Sequence, residues 1–236
     1  MIMSKDLVIL QATTLVVAGA PFEAEKALVA FANEHGDQQL RVILDEIEPK
    51  YLSAIVREFD CSKSSPINSL VNVEQFMSIL FLERHYNELS KLESLINSIV
   101  MARDEPERYE FLAAIAETDC EDILATYLLG SDGQNYDALS HFDRYDTFNL
   151  GWDGPDSHAE ALDGEWKQFA FELREGFPEY WNAVYECVKY TYTKTVQANE
   201  AKQNAALNSL IAECDEFEHK NQGPIIAEQA DENSAL

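Results

Sequence analysis

Apolar positions recur at three- and four-residue intervals along most of the chain, the spacing that places them on one face of an α-helix. Leu28, Phe31 and Ala32 form one such stripe, with Pro21 where a helix first turn accepts it and Gly36 as the stop. Leu40, Ile43, Leu44 and Ile47 form the next, with Asp37 in position to cap it. Pro49 opens a segment carrying Leu52, Ile55, Val56 and Phe59. After a loop at "CSKSSP", Asn72 precedes a pattern containing Phe76, Ile79, Leu80 and Leu82, followed by Leu89, Leu92, Leu95, Ile96 and Ile99. Pro106 opens a helix through Phe111, Leu112 and Ile115, and Asp119 stands where it would cap another with Ile123, Leu124, Tyr127 and Leu128, ended by Gly130.

Two stretches are less regular. Within residues 7–18, "LVIL" and "LVV" have strand character, but no partner strand is visible, so a helix from a Ser4 cap to Val17 is expected. Residues 131–157 read as an irregular connection with a short helix over 136–142. Beyond it, Ser157 can cap a helix with Ala161, Leu162, Trp166, Phe169 and Leu173, ended by Gly176. From Pro178 to about His219 there is neither proline nor glycine. That predicts a very long helix unless it breaks near residues 198–204. It is aromatic at first (Tyr180, Trp181, Tyr185, Tyr190, Tyr192), then polar, then apolar again at Leu207, Leu210, Ile211, Cys214 and Phe217.

The pattern predicts an all-α protein. Residues 1–130 form a helical bundle or stack of helical hairpins, 131–157 an aromatic and acidic loop, 158–220 a helical region with the long helix, and 221–236 a loose acidic tail. No internal repeat recurs at a fixed period.

Charge changes the picture. Asp and Glu number 43 against 17 Lys and Arg, a formal charge of -26. Such a chain repels phosphate backbones and anionic lipid, so direct nucleic-acid or membrane-surface binding is not expected. The charge is also uneven. Residues 104–137 hold ten carboxylates and one base, Arg108, and residues 143–177 hold nine carboxylates and three bases. Residues 212–236 hold seven carboxylates and one base, while the first hundred residues are closer to balance. A concentrated negative field favours a basic protein partner, and a surface imitating nucleic-acid charge is one form such a protein takes.

The four cysteines, Cys61, Cys120, Cys187 and Cys214, are far apart and read as reduced thiols, which with the lack of a bilayer-length apolar run suggests a cytoplasmic protein. The N-terminal "MIMSKDLVILQATTLVVAGAP" has the outline of a signal peptide. However, Asp6 cancels Lys5, Gln11, Thr13 and Thr14 interrupt the apolar run, and Pro21 would follow the cleavage site.

Candidate chemistry is confined to "HFDRYDTFNLGWDGPDSH", residues 141–158. Its histidines and aspartates, chiefly His141, Asp143, Asp146 and His158, are conceivable ligands for a metal-dependent hydrolase, yet their spacing matches no calcium loop or zinc motif. Its aromatics, Tyr145, Phe148 and Trp152, with Asp146, Asp153 and Asp156, are instead the expected contact residues for a basic partner, because aromatic anchors supply affinity that exposed carboxylates do not. No phosphate cradle, nucleophile–base pair or cofactor motif is present, which points away from an enzyme. A further alternative is a structural protein that self-associates through the helix over 178–217.

Overall fold

The computed structural model describes residues 5–58, 65–86, 88–148 and 165–221, with side chains as far as residue 208. The protein is all-α, and no strand occurs among the described residues. Residues through Tyr192 form one compact unit and those from Thr193 a second.

Helix α1 (Lys5–Val17) and α2 (Pro21–His35) make an antiparallel hairpin. The turn is a Schellman motif: Gly19 takes a φ of 77°, its N–H donates to Val16 O and the Ala20 N–H to Leu15 O, each at 2.9 Å. Short segments follow, α3 (Asp37–Leu44), α4 (Pro49–Arg57) and α5 (Pro66–Leu70). Asp37 is the first helical residue of α3 and not its cap, a place taken by Gly36. Helix α6 (Val73–Glu83) opens with a complete capping box: Asn72 accepts from the Gln75 N–H at 2.9 Å, and the Gln75 side chain accepts from the Asn72 N–H at 3.0 Å.

Helix α7 (Leu89–Ile96) runs directly into a π-helical turn, Asn97–Met101. The sequence explains it. Leu95, Ile96, Ile99, Val100 and Met101 are too many apolar residues for one stripe of a 3.6-residue helix. The wider turn lets all five be buried, the Ala102 N–H reaching back to Asn97 O at 3.0 Å. Helix α8 (Glu105–Ala116) is capped by the Asp104 carboxylate at 3.3 Å from the Glu107 N–H. Helix α9 (Glu121–Leu129) is not capped by Asp119 as expected. A tight turn, Cys120 N–H to Thr118 O at 2.9 Å, puts Cys120 at the cap position instead.

A 3₁₀ turn, Ser131–Gly133, leads to α10 (Tyr136–Tyr145), longer than the 136–142 helix expected. Gly133 is required twice over. Its φ is 77°, and a Cβ there would lie 2.7 Å from the Tyr192 ring, which stacks on Tyr136 with centroids 3.7 Å apart. Helix α11 (Glu165–Gly176) packs on α8, α9 and the π turn. Ser157, its expected cap, lies outside the described residues, as do Ala161, Leu162 and the tail from 222. Helix α12 (Pro178–Asn221) is a single helix with no break at 198–204.

One core runs through the first unit. It joins Leu28, Leu52 and Ile79 from the early helices to Phe111, Leu124, Phe142, Phe169 and Trp181 from the later ones. The 1–130 and 158–220 segments thus share that core through residue 192. Among the described residues no helix is long and apolar enough to cross a membrane.

Candidate functional site

Helix α10 carries the described part of the histidine–aspartate–aromatic stretch. Its last residue is followed by Asp146 in the left-handed conformation, φ 60°, whose N–H donates to Phe142 O at 2.9 Å. Arg174 of α11 satisfies the helix end. It donates to Phe142 O at 2.7 Å and Asp143 O at 3.3 Å, pairs with the Asp146 carboxylate at 2.7 Å, and lies over the Phe142 ring. Asp143 accepts from the Trp181 indole N–H at 3.1 Å, and His141 Nδ1 lies 2.7 Å from Thr147 O, which requires the proton on Nδ1.

These contacts account for the described polar residues of the stretch. Asp143 and Asp146 hold partners that fix the end of α10 against α12 and α11, while His141 closes onto the segment that follows α10. Among the described residues no group of three or more His, Cys, Asp or Glu side chains is placed to hold a metal ion. Phe148 does not reach solvent. It is 7% exposed, stacked on Phe142 at 4.2 Å and set edge-on to Trp166 at 5.5 Å, so it is a core residue and drops out of the contact set. Tyr145 stands 60% exposed beside His141. Trp152, Asp153, Asp156 and His158 lie outside the described residues.

The aromatic stripe of 178–192 is also largely consumed internally. Trp181 and Tyr185 are buried, Tyr180 is half-buried and Tyr192 is stacked on Tyr136. Burial pushes the Tyr180 hydroxyl well above its usual value. Burial likewise raises the Cys120 and Cys187 thiols, which makes them poor nucleophiles.

The electrostatics of residues 104–137 are governed by where Arg108 goes. It is buried, and its guanidinium grips Glu172 of α11 with two bonds, Nε to Oε2 at 2.6 Å and Nη2 to Oε1 at 2.8 Å. Its remaining arm donates to Arg103 O at 2.6 Å. Nine of the ten carboxylates in that segment are exposed, Glu121 alone being half-buried. Bases from elsewhere reach this surface, among them Arg84, which pairs with Asp122 at 2.7 Å, and Arg103, which pairs with Glu107 at 3.0 Å. Tyr109, 54% exposed and stacked against Phe177, stands among them.

A second acidic feature escaped the sequence reading. Glu83 of α6 is buried, its Oε2 paired with Arg57 of α4, while its Oε1 has no hydrogen-bond partner among the described residues. Leaving a buried acceptor unsatisfied costs about 1–3 kcal/mol. Elsewhere, α1 keeps Leu10 and Val17 exposed beside a cleft of about 530 Å³ shared with Glu46, Glu48 and Tyr51. No protein-family model, curated protein or solved structure matches the chain.

Proposed function

We infer that the protein is an acidic interaction protein that binds a basic protein partner through the carboxylates of residues 104–137. The observation that carries this reading is the withdrawal of Arg108, the one base of that segment, into a buried pair with Glu172. Its charge is spent inside, so the exposed carboxylates keep no base of their own segment among them. Acids there cap helix N-termini at Asp104 and also occur on the exposed side of α8 at Glu110 and just past its end at Glu117, beyond what N-terminal capping needs. Tyr109 and Tyr145 supply exposed aromatic surface in the same acidic half of the sequence, and such groups provide affinity where exposed ion pairs provide steering.

The test uses the full chain as bait, wild type beside the triple variant Glu105→Gln, Glu110→Gln and Glu117→Gln, all exposed positions. Capture is compared at about 0.05 M and about 0.5 M salt, where screening differs severalfold in range. Wild type is expected to retain basic proteins at low salt and release them at high salt, and the variant to retain markedly less. Equal capture by both, or capture indifferent to salt, would remove the reading.

A further inference from the structure

Helix α1 is apolar on two sides. Val8 and Ala12 are buried in the core, while Leu7, Leu10, Thr14 and Val17, three or four residues apart, form a stripe open to solvent, Leu10 being 61% and Val17 72% exposed. The outward side of a surface helix is ordinarily charged or polar. Here no charged residue stands between Asp6 and Glu23, and the Thr13 hydroxyl is spent on its own helix, 2.9 Å from Ile9 O and 3.2 Å from Leu10 O. The stripe borders the cleft of about 530 Å³, whose lining also includes Glu46, Glu48 and Tyr51. Glu46 pairs with Lys5, and Glu48 with Lys50 at 2.8 Å, so two bases offset two of the three acids that line it. In a chain of net charge -26 this face is nearly neutral.

We propose that this face receives a second copy of the chain, α1 of each copy lying along α1 of the other about a two-fold axis. Charge selects the occupant. Two copies at -26 repel each other wherever their carboxylates meet, and the uncharged stripe is where contact costs least. A basic partner gains nothing from a neutral face, and anionic lipid is repelled by the molecule as a whole. One stripe meeting itself is an isologous contact, the commonest kind between copies. Thirteen residues make a helix about 20 Å long and about 10 Å across. The contact therefore falls short of the roughly 800 Å² per partner of a standard interface, and the dimer is weak, with a Kd on the order of 10–100 µM. Salt tightens it, because screening removes the repulsion and leaves the apolar contact. That is the reverse of the salt response of a basic partner, so the dimer does not depend on the functional reading above.

The experiment is sedimentation of the full chain from about 5 µM to about 500 µM, at about 0.05 M and about 0.5 M salt. Wild type is expected to pass from monomer to dimer over that range, with a Kd at least about threefold smaller at the higher salt. Leu10→Glu is expected to weaken the dimer by about tenfold or more, and Leu207→Glu, a comparably exposed apolar position on α12, by less than about twofold. A mixture of Leu10→Glu and Leu10→Lys chains is expected to dimerise again, since the same face meets itself. A wild type that stays monomeric throughout, a dimer loosened by salt, a larger loss in Leu207→Glu than in Leu10→Glu, or no recovery in the mixture overturns the assignment. Should Leu10→Glu fail to fold, the wild type decides: the methyl signals of Leu7, Leu10 and Val17 are expected to shift with concentration. Stillness there while the chain dimerises overturns the assignment, as do signals that move only when neutral phospholipid vesicles are added.

Discussion

Tyr127 is buried in the core, its hydroxyl donating to Asn97 Oδ1 at 2.7 Å, and Asn97 in turn donates to Glu165 of α11 at 2.6 Å. Burial, with the nearby Glu165 and Glu93 carboxylates, raises its ionisation far above the ordinary 10.0. The folded state therefore keeps a proton that the unfolded state loses. The stability Tyr127 contributes is complete below pH 10 and declines as pH rises above it. Tyr127→Phe should cost about 1 kcal/mol at pH 8, because Asn97 loses its donor. The gap to wild type should then narrow between pH 10 and 11, measured by urea unfolding at each pH. A constant gap would show that the hydroxyl does not titrate between the two states. The residues that set the chemistry left a signal in the spacing that the sequence reading passed over. Glu83 falls at the seventh position after Phe76 and Arg108 at the seventh before Ile115, both on stripes otherwise apolar. A charge in such a stripe signals a buried charge with a partner. Its partner is not visible, because Glu172 is 64 residues from Arg108 and nothing local relates the two.

Elements that carry their own punctuation were the most legible. Pro21 and Pro49 at first turns, Asn72 with Gln75, and the Gly130 stop all stand where the local chemistry of caps puts them. The π turn was not, because its cause is a crowded apolar run whose burial is decided by α8 and α11 closing over it. The exposed setting expected for Phe148 failed for a similar reason, since Phe142 and Trp166 come from two helices that meet only in the folded chain. The tie between α8 and α11 gives the prediction at this scale. Glu172→Leu leaves the Arg108 guanidinium buried without its carboxylate and should lose about 3–5 kcal/mol. Adding Arg108→Met removes the stranded charge and should recover most of that loss in denaturant midpoint. A double variant no better than the single would mean the arginine acts mainly through the Arg103 carbonyl.

Across the whole molecule, charge opposes the fold and promotes the proposed contact. A formal charge of -26 repels itself in the compact state. Raising salt from about 0.02 M to about 0.5 M should therefore raise the melting temperature by about 3 °C or more, roughly 1 kcal/mol for a chain of this size. Partner binding should weaken over the same range, so salt moves stability and affinity in opposite directions. A fall in melting temperature would instead mean that ion pairs such as Arg84–Asp122 outweigh the repulsion. This net effect was legible from composition alone, whereas the inward turn of Arg108 was not. The bidentate grip of Arg108 on Glu172 also bears on how the chain is made. Helices α1 to α7 contact mainly near neighbours in sequence and can assemble as they leave the ribosome. Helix α8 cannot finish, since the carboxylate it needs is translated 64 residues later, roughly 3–13 s at ordinary elongation rates. During that interval Arg108 is the one positive charge within residues 104–137, and its guanidinium stays in water until Glu172 arrives.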